Sequence, residues 1–240
     1  VVQRALVRHL PEHLVLVDDG RATRSVLEAL VRPGVGLVRP HVRGSLLRGA
    51  LGRSVAARLR TLARAGGLHV VSALRFPPDL VTAVQRLGVP LGGHDFTWVR
   101  SLPAPPPPPS RVVVLGTSLV ATGLVQAPPY LSWVRRLADV EPVTYLPHRR
   151  EDRRTLGTLD RMPGVVVAEG HLPVELGLRG LGLTHQVHTL PSTAASTLSL
   201  VAPGLPVAEY PVPESWWMPS VPSRVRRRLV PRGESAPSAA

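Results

Sequence analysis

Apolar residues fall along this chain in short unbroken runs that alternate with stretches of helical spacing. Leu14-Val15-Leu16-Val17 is such a run, and its continuous apolarity predicts a strand buried on both faces of a parallel sheet. The run stops at Asp18-Asp19-Gly20. Val26, Leu27, Leu30 and Val31 then share one helical face until Pro33-Gly34 ends the element. Residues 45–65 carry Leu46, Leu47, Leu51, Val55, Leu59 and Leu62 at spacings of three and four, with arginines opposite. That is an amphipathic helix whose basic stripe reads as a solvated face. Residues 68–74 predict a strand between Gly66-Gly67 and Pro77-Pro78. Over residues 78–100 two readings stay open, a helix across 79–87 and a strand across 96–99.

Residues 103–110 contain five consecutive prolines, which cannot enter a helix or sheet interior and favour extended polyproline geometry. They predict a stiff spacer between two folded parts, residues 1–102 and 111–215. Beyond the spacer the alternation resumes. Strands are predicted over 111–115, 143–146, 165–167, 186–190 and 205–208. Helical patterns fall at 130–138 and 151–162, from Pro173 onward, and in the hydroxyl-rich stretch 191–198. Residues 216–240 read as an Arg- and Pro-rich tail, disordered at its end. Strands alternating with helices on both sides of the spacer predict two α/β units with parallel sheets.

Composition changes this picture little. The chain has 240 residues, 44% of them hydrophobic and none of them cysteine, which excludes disulfides and thiolate metal sites. No apolar run reaches the length of a membrane helix, and no signal peptide opens the sequence. The net charge of +13 raises nucleic acid as a partner. Every basic residue is Arg, however, and with the abundance of Ala, Gly, Pro, Leu and Val this resembles the coding bias of a GC-rich genome. An arginine-rich nucleic-acid-binding protein is therefore kept only as an alternative. The start at Val1, in mid-pattern, reads as a truncated first half.

The candidate chemistry collects at predicted strand ends. Tyr145-Leu146-Pro147-His148-Arg149-Arg150-Glu151 places a histidine at the carboxyl end of a strand, where α/β sheets hold their ligands. The guanidinium of Arg149 beside it suits phosphate or carboxylate. Asp18 and Asp19 close another strand as neighbouring carboxylates, whose repulsion raises one pKa toward general-base range; a turn or cap is the bland alternative. Ser192 and Thr193 open a helix, either as an ordinary cap or as a phosphate site. Glu175 near a helix start serves the dipole or accepts from a ribose. Gly116 and Ser118, in Gly116-Thr117-Ser118, permit close ligand approach. No dinucleotide or phosphate-loop motif is present. His185 and His188 would face opposite sides of a strand, and with His171 they carry no acidic neighbour, which argues against a metal.

These segments together resemble the bacterial sialyltransferases, in particular the polysialyltransferase and lipooligosaccharide sialyltransferase branch. Asp18-Asp19-Gly20 matches their Asp/Glu-Asp/Glu-Gly motif, and residues 145–151 look like their histidine motif. Pro-Val-Glu at 173–175 and Pro-Ser-Thr-Ala-Ala-Ser-Thr at 191–197 are similar to their donor-binding segments. The resemblance implies a GT-B-like fold, two Rossmann-like halves with a cleft between them. It implies Asp18 or Asp19 as base toward the acceptor hydroxyl, and His148 protonating or hydrogen-bonding the departing phosphate of CMP-sialic acid. Glu175 would hold the ribose, and Ser192 and Thr193 the phosphate. The implied reaction is inverting and needs no metal or other cofactor; its partners are the nucleotide-sugar donor and a surface glycan acceptor. The implied location is cytoplasmic, peripheral at the inner membrane face. A GT-B transferase using another nucleotide sugar is the nearest alternative.

Overall fold

Two parallel sheets organise the chain, one on each side of a division between Asp95 and Phe96. The computed structural model describes residues 6, 9, 11–18, 22–37, 46–169 and 172–229. Both units have the Rossmann-like α/β character that alternating strand and helix patterns predict. The proline run lies inside the second unit.

In the first unit β1 (Leu14–Asp18), β2 (Leu68–Ser72) and β3 (Leu91–Gly93) lie side by side in that order, all parallel. Helices α1 (Ala22–Val31) and α2 (Leu46–Arg64) connect β1 to β2, and α3 (Pro78–Arg86) connects β2 to β3. Leu27, Leu30, Val55, Leu59, Leu68, Val70 and Val84 form the core of this unit. Burial of β1 on both faces is not found. Val15 and Val17 are 57% and 68% exposed, because the apolar faces of the helices cover only one side of the strand among the described residues. The basic stripe of α2 is not wholly solvated either, since Arg60 Nη1 donates to the Ala29 carbonyl at 2.7 Å. Of the two readings across residues 78–100 the helix is found as α3, but residues 97–101 form a helix, α4 (Thr97–Ser101), in place of a strand. The strand sits earlier, in β3, where two of three residues are glycine and leave no strand signature.

The second unit carries β4 (Val112–Leu115), β5 (Val143–Leu146), β6 (Val165–Val167), β7 (Gln186–Thr189) and β8 (Val207–Glu209) in the spatial order β6-β5-β4-β7-β8. All pairs are parallel, and Val114 stands opposite both Tyr145 and His188. Strand alternation sends Val112 and Val114 to one face and Val113 and Leu115 to the other. The first pair packs with Tyr130, Trp133, Val143, Tyr145 and Leu159, the second with Leu178, Val187, Leu198 and Leu205. Helices α5 (Ser118–Ala121), α6 (Ala127–Ala138), α7 (Arg153–Asp160), α8 (Val174–Gly177) and α9 (Thr193–Val201) connect the strands. Val113 and Val114, both fully buried, each contribute roughly 1.5–3 kcal/mol of burial energy.

The segment after β8 joins this core, up to α10 (Ser223–Arg228): Trp217, Val221 and Val225 are buried in the Tyr130 cluster. Disorder expected at the end of the chain concerns residues 230–240, which lie outside the described residues. Among the described residues no helix is long and apolar enough to cross a membrane.

Candidate functional site

The strand order of the second unit fixes where chemistry can gather. From β4 the chain moves outward to β5 and β6, then returns to the opposite side of β4 for β7 and β8. The reversal between β4 and β7 is a topological switch point, and ligands of open α/β sheets bind outside the carboxyl ends of such strands. Gly116 and Ser118 follow β4, His148 and Arg149 follow β5, and Ser192 and Thr193 follow β7. Three adjacent parallel strands therefore deliver six of the candidate residues to one edge of the sheet. Glu175 reaches the same helix system: it accepts a hydrogen bond from Thr197 Oγ1 on α9 at 2.5 Å.

At the end of β5 the chain turns sharply, and one side chain governs the turn. The Glu151 carboxylate accepts the His148 backbone N–H at 2.7 Å, and the Glu151 N–H donates to the His148 carbonyl at 2.8 Å. The same carboxylate accepts from the Tyr145 hydroxyl, and its Oε2 lies against Gly116 in the turn after β4. Behind it Tyr145 and Tyr130, both fully buried, join hydroxyls at 2.8 Å. Only one arrangement of protons satisfies this series. Tyr130 donates to Tyr145, and Tyr145 donates to the acceptor-only carboxylate. Burial pushes both phenols well above their ordinary range, with the Glu151 charge adding to the effect. Burial also raises the Glu151 carboxyl, against the opposing pull of its donors.

Gly116 exists at its position because of this carboxylate. A Cβ there would collide with Glu151 Oε2 and stand 2.6 Å from the His148 nitrogen. The sequence reading of Gly116 as room for a ligand thus meets a different occupant, a side chain of the protein itself.

The His148 imidazole is half-buried, and its Nδ1 accepts the Arg150 backbone N–H at 3.1 Å. Burial, followed by the charges of Arg149 and Arg150, lowers its pKa. The ring is therefore neutral near pH 7, with its proton on Nε2. Such a ring can donate a hydrogen bond; to deliver a proton as imidazolium it would first have to give up the Arg150 amide. Arg149 beside it is exposed.

At the start of α9 the Ser192 hydroxyl accepts the Ala194 N–H at 3.2 Å, an N-cap. The Ser192 N–H itself donates to Glu209 Oε1 at 2.9 Å. The ordinary-cap alternative is thus realised by Ser192, and the first-turn amide nearest β7 already has a carboxylate. Asp18 ends β1 in the first unit, opposite Ser72 in register. Its side chain, Asp19, Gly20 and His171 lie outside the described residues.

Sequence reasoning missed Glu151, Tyr145, Tyr130 and Glu209 as site residues. Glu151 read as the first residue of a helix, yet α7 begins only at Arg153 and is capped by Asp152, whose Oδ1 accepts the Thr155 N–H at 2.8 Å. The available signal was that cap: with Asp152 in place, the helix start has no need of Glu151. His188 is likewise engaged, its Nδ1 2.9 Å from the Tyr210 hydroxyl with the rings stacked. No family model, curated protein or solved structure matches the chain.

Proposed function

We propose that the protein is an inverting glycosyltransferase of sialyltransferase type, moving sialic acid from CMP-sialic acid to a hydroxyl of a surface glycan. The observation that carries the reading is His148 at the carboxyl end of β5, its Nδ1 accepting the Arg150 N–H and Arg149 adjacent, next to the switch point of a parallel sheet. It supports a site that meets an anion with preorganised donors. The order of the acidic, histidine, Pro-Val-Glu and Pro-Ser-Thr segments supplies the choice of cytidine and sialic acid.

In this reading the acceptor oxygen attacks the anomeric carbon as the bond from that carbon to the CMP phosphate breaks. Asp18, or Asp19 beside it, takes the hydroxyl proton. The electron pair of the broken bond stays on phosphate oxygen, where His148 Nε2–H and the Arg149 guanidinium stabilise it without a metal. His148 is thus a hydrogen-bond donor to the leaving group in preference to a proton source. Attack opposite the leaving group inverts the centre. Glu175 meets the ribose, and Thr193 the phosphate. The two units are proposed as halves of a GT-B enzyme working at the cytoplasmic face of a membrane.

The test is thermal stabilisation by CMP against UMP and GMP, followed by transfer from CMP-sialic acid. CMP is expected to raise the melting temperature most, and His148→Ala and Asp18→Ala to abolish transfer while the fold persists. Equal stabilisation by UMP would move the assignment to another nucleotide sugar. Full transfer activity in both variants would overturn the reading.

A further inference from the structure

A partly buried carboxylate is costly, and it persists only where donors meet it. Glu151 has such donors in the Tyr145 hydroxyl and the His148 N–H, and its carboxylate lies between two different loops. Its Oε2 accepts from His148 in the turn after β5 and packs against Gly116 in the turn after β4. The bond from the Glu151 N–H back to the His148 carbonyl means that one residue holds both backbone polar groups of the histidine. Arg150, the residue just before Glu151, then donates to the ring itself. Capping α7 does not explain the arrangement, because Asp152 performs it with both carboxylate oxygens on Thr155. Nor does simple space-filling, because the donors of Glu151 require an acceptor at each oxygen.

We infer that Glu151 is a positioning residue for His148: its carboxylate ties the β5 turn to the β4 turn and thereby sets the direction of the His148 Nε2–H. The inference rests on the donor role proposed above for His148. Glutamine replaces the carboxylate only at a cost: its amide NH₂ either meets the His148 amide, donor against donor, or donates to the Tyr145 hydroxyl, which reverses the proton order and leaves the buried Tyr130 hydroxyl without an acceptor. The turn then relaxes, the Arg150 amide leaves Nδ1, and the ring loses its single tautomer.

The decisive readout is the ¹⁵N spectrum of the His148 ring in the full chain, together with transfer kinetics. The unsubstituted protein is expected to show one neutral tautomer, with Nε2 protonated and Nδ1 accepting. Glu151→Gln is expected to mix the tautomers and to lower kcat by about 10²-fold, the scale of an ångström-level misplacement, with little change in the donor KM. Asp152→Ala, which weakens the neighbouring helix start, is expected to lower the melting temperature and leave the tautomer intact. If Glu151→Gln does not fold, Tyr145→Phe decides the matter, since it removes one donor at nearly constant volume and should mix the tautomers in part. An unmixed tautomer in whichever of these two variants folds overturns the inference, as does mixing in Asp152→Ala. Absence of transfer by the unsubstituted protein would instead count against the proposed function, and the ring spectrum would still decide the role of Glu151.

Discussion

The Glu151 carboxylate stands where a Cβ on Gly116 would have to be, so two residues 35 positions apart in the chain fill one place between them. Gly116 is not among the glycines with positive φ, so the demand is for space and not for backbone freedom. Gly116→Ala must therefore push the carboxylate off its donors. We expect a loss of about 1–3 kcal/mol, the usual cost of overpacking a tight site. In the Gly116→Ala, Glu151→Ala double variant the carboxylate no longer opposes the alanine and only the 2.6 Å approach to the His148 nitrogen remains, so the combined loss should fall short of the sum of the two single losses. Urea denaturation of the four proteins measures this, and strict additivity would show that the two sites are independent.

The tyrosine series is directional and predicts an order of effects. Tyr145 both accepts from Tyr130 and donates to Glu151. Tyr145→Phe leaves the Tyr130 hydroxyl, fully buried, without an acceptor and takes a donor from the carboxylate. Its expected cost is about 1–3 kcal/mol, the penalty for an unsatisfied buried group. Tyr130→Phe removes only the terminal donor and should cost about 1 kcal/mol. Once Tyr145 is phenylalanine, the further change Tyr130→Phe should cost nothing or restore stability. Equal losses from the two single variants would contradict the proton order.

Much of this architecture was legible in the sequence, and the parts that were not share a physical reason. The strands β4 and β5 announce themselves because each is a run of apolar, aromatic or β-branched residues stopped by glycine or proline, and β7 because Val187, Thr189 and Leu190 lead into Pro191. Their order in space, and so the meeting of Gly116, His148 and Ser192 at one edge, follows from pairing between distant segments that local pattern does not encode. Glu151 read only as the first residue of a helix, because its donors are a turn amide and a tyrosine whose own pattern is simply that of a strand. Val15 and Val17 read as buried, because an apolar run predicts two covered faces whereas the described helices cover one. The short β3, Leu91-Gly92-Gly93, had no side-chain signal to read.

Acid sensitivity follows from the imidazoles. Burial lowers the pKa of both His148 and His188 from the ordinary value of 6.5. Between the lowered and the ordinary values the unfolded chain binds more protons than the folded one, so the fold loses stability as pH falls through that window. Glu151 acts in the opposite sense: its raised pKa means that stability falls as pH rises from the ordinary carboxylate range toward the raised value. His188→Gln keeps a polar partner for Tyr210 and removes one titrating ring. Its denaturation midpoint should vary less than that of the unsubstituted chain between about pH 7 and about pH 5. Trp133, edge-on to Tyr210 at 5.5 Å, provides a fluorescence reporter. An unchanged slope would mean that His188 does not titrate in this range.

The link between Glu175 and α9 separates stability from binding. Thr197 is 1% exposed, and its hydroxyl has three acceptors in reach: Glu175 Oε1 at 2.5 Å, the Ala194 carbonyl at 3.2 Å and the Thr193 carbonyl at 3.4 Å. One proton serves one acceptor well, and the short distance to the carboxylate identifies which. Thr197→Val keeps the shape of the side chain and deletes that proton. Glu175 is only partly buried, so water can replace the lost donor, and the stability cost should stay near 1 kcal/mol. If Glu175 meets a ribose, freeing its carboxylate should matter more for the ligand than for the fold. CMP affinity is then expected to fall about 5- to 10-fold in Thr197→Val, equivalent to roughly 1–1.4 kcal/mol, and by at least as much in Glu175→Gln. Calorimetric titration of CMP into the three proteins reads this directly. Unchanged affinity in both variants would remove Glu175 from the nucleotide site and leave it as a tether between α8 and α9.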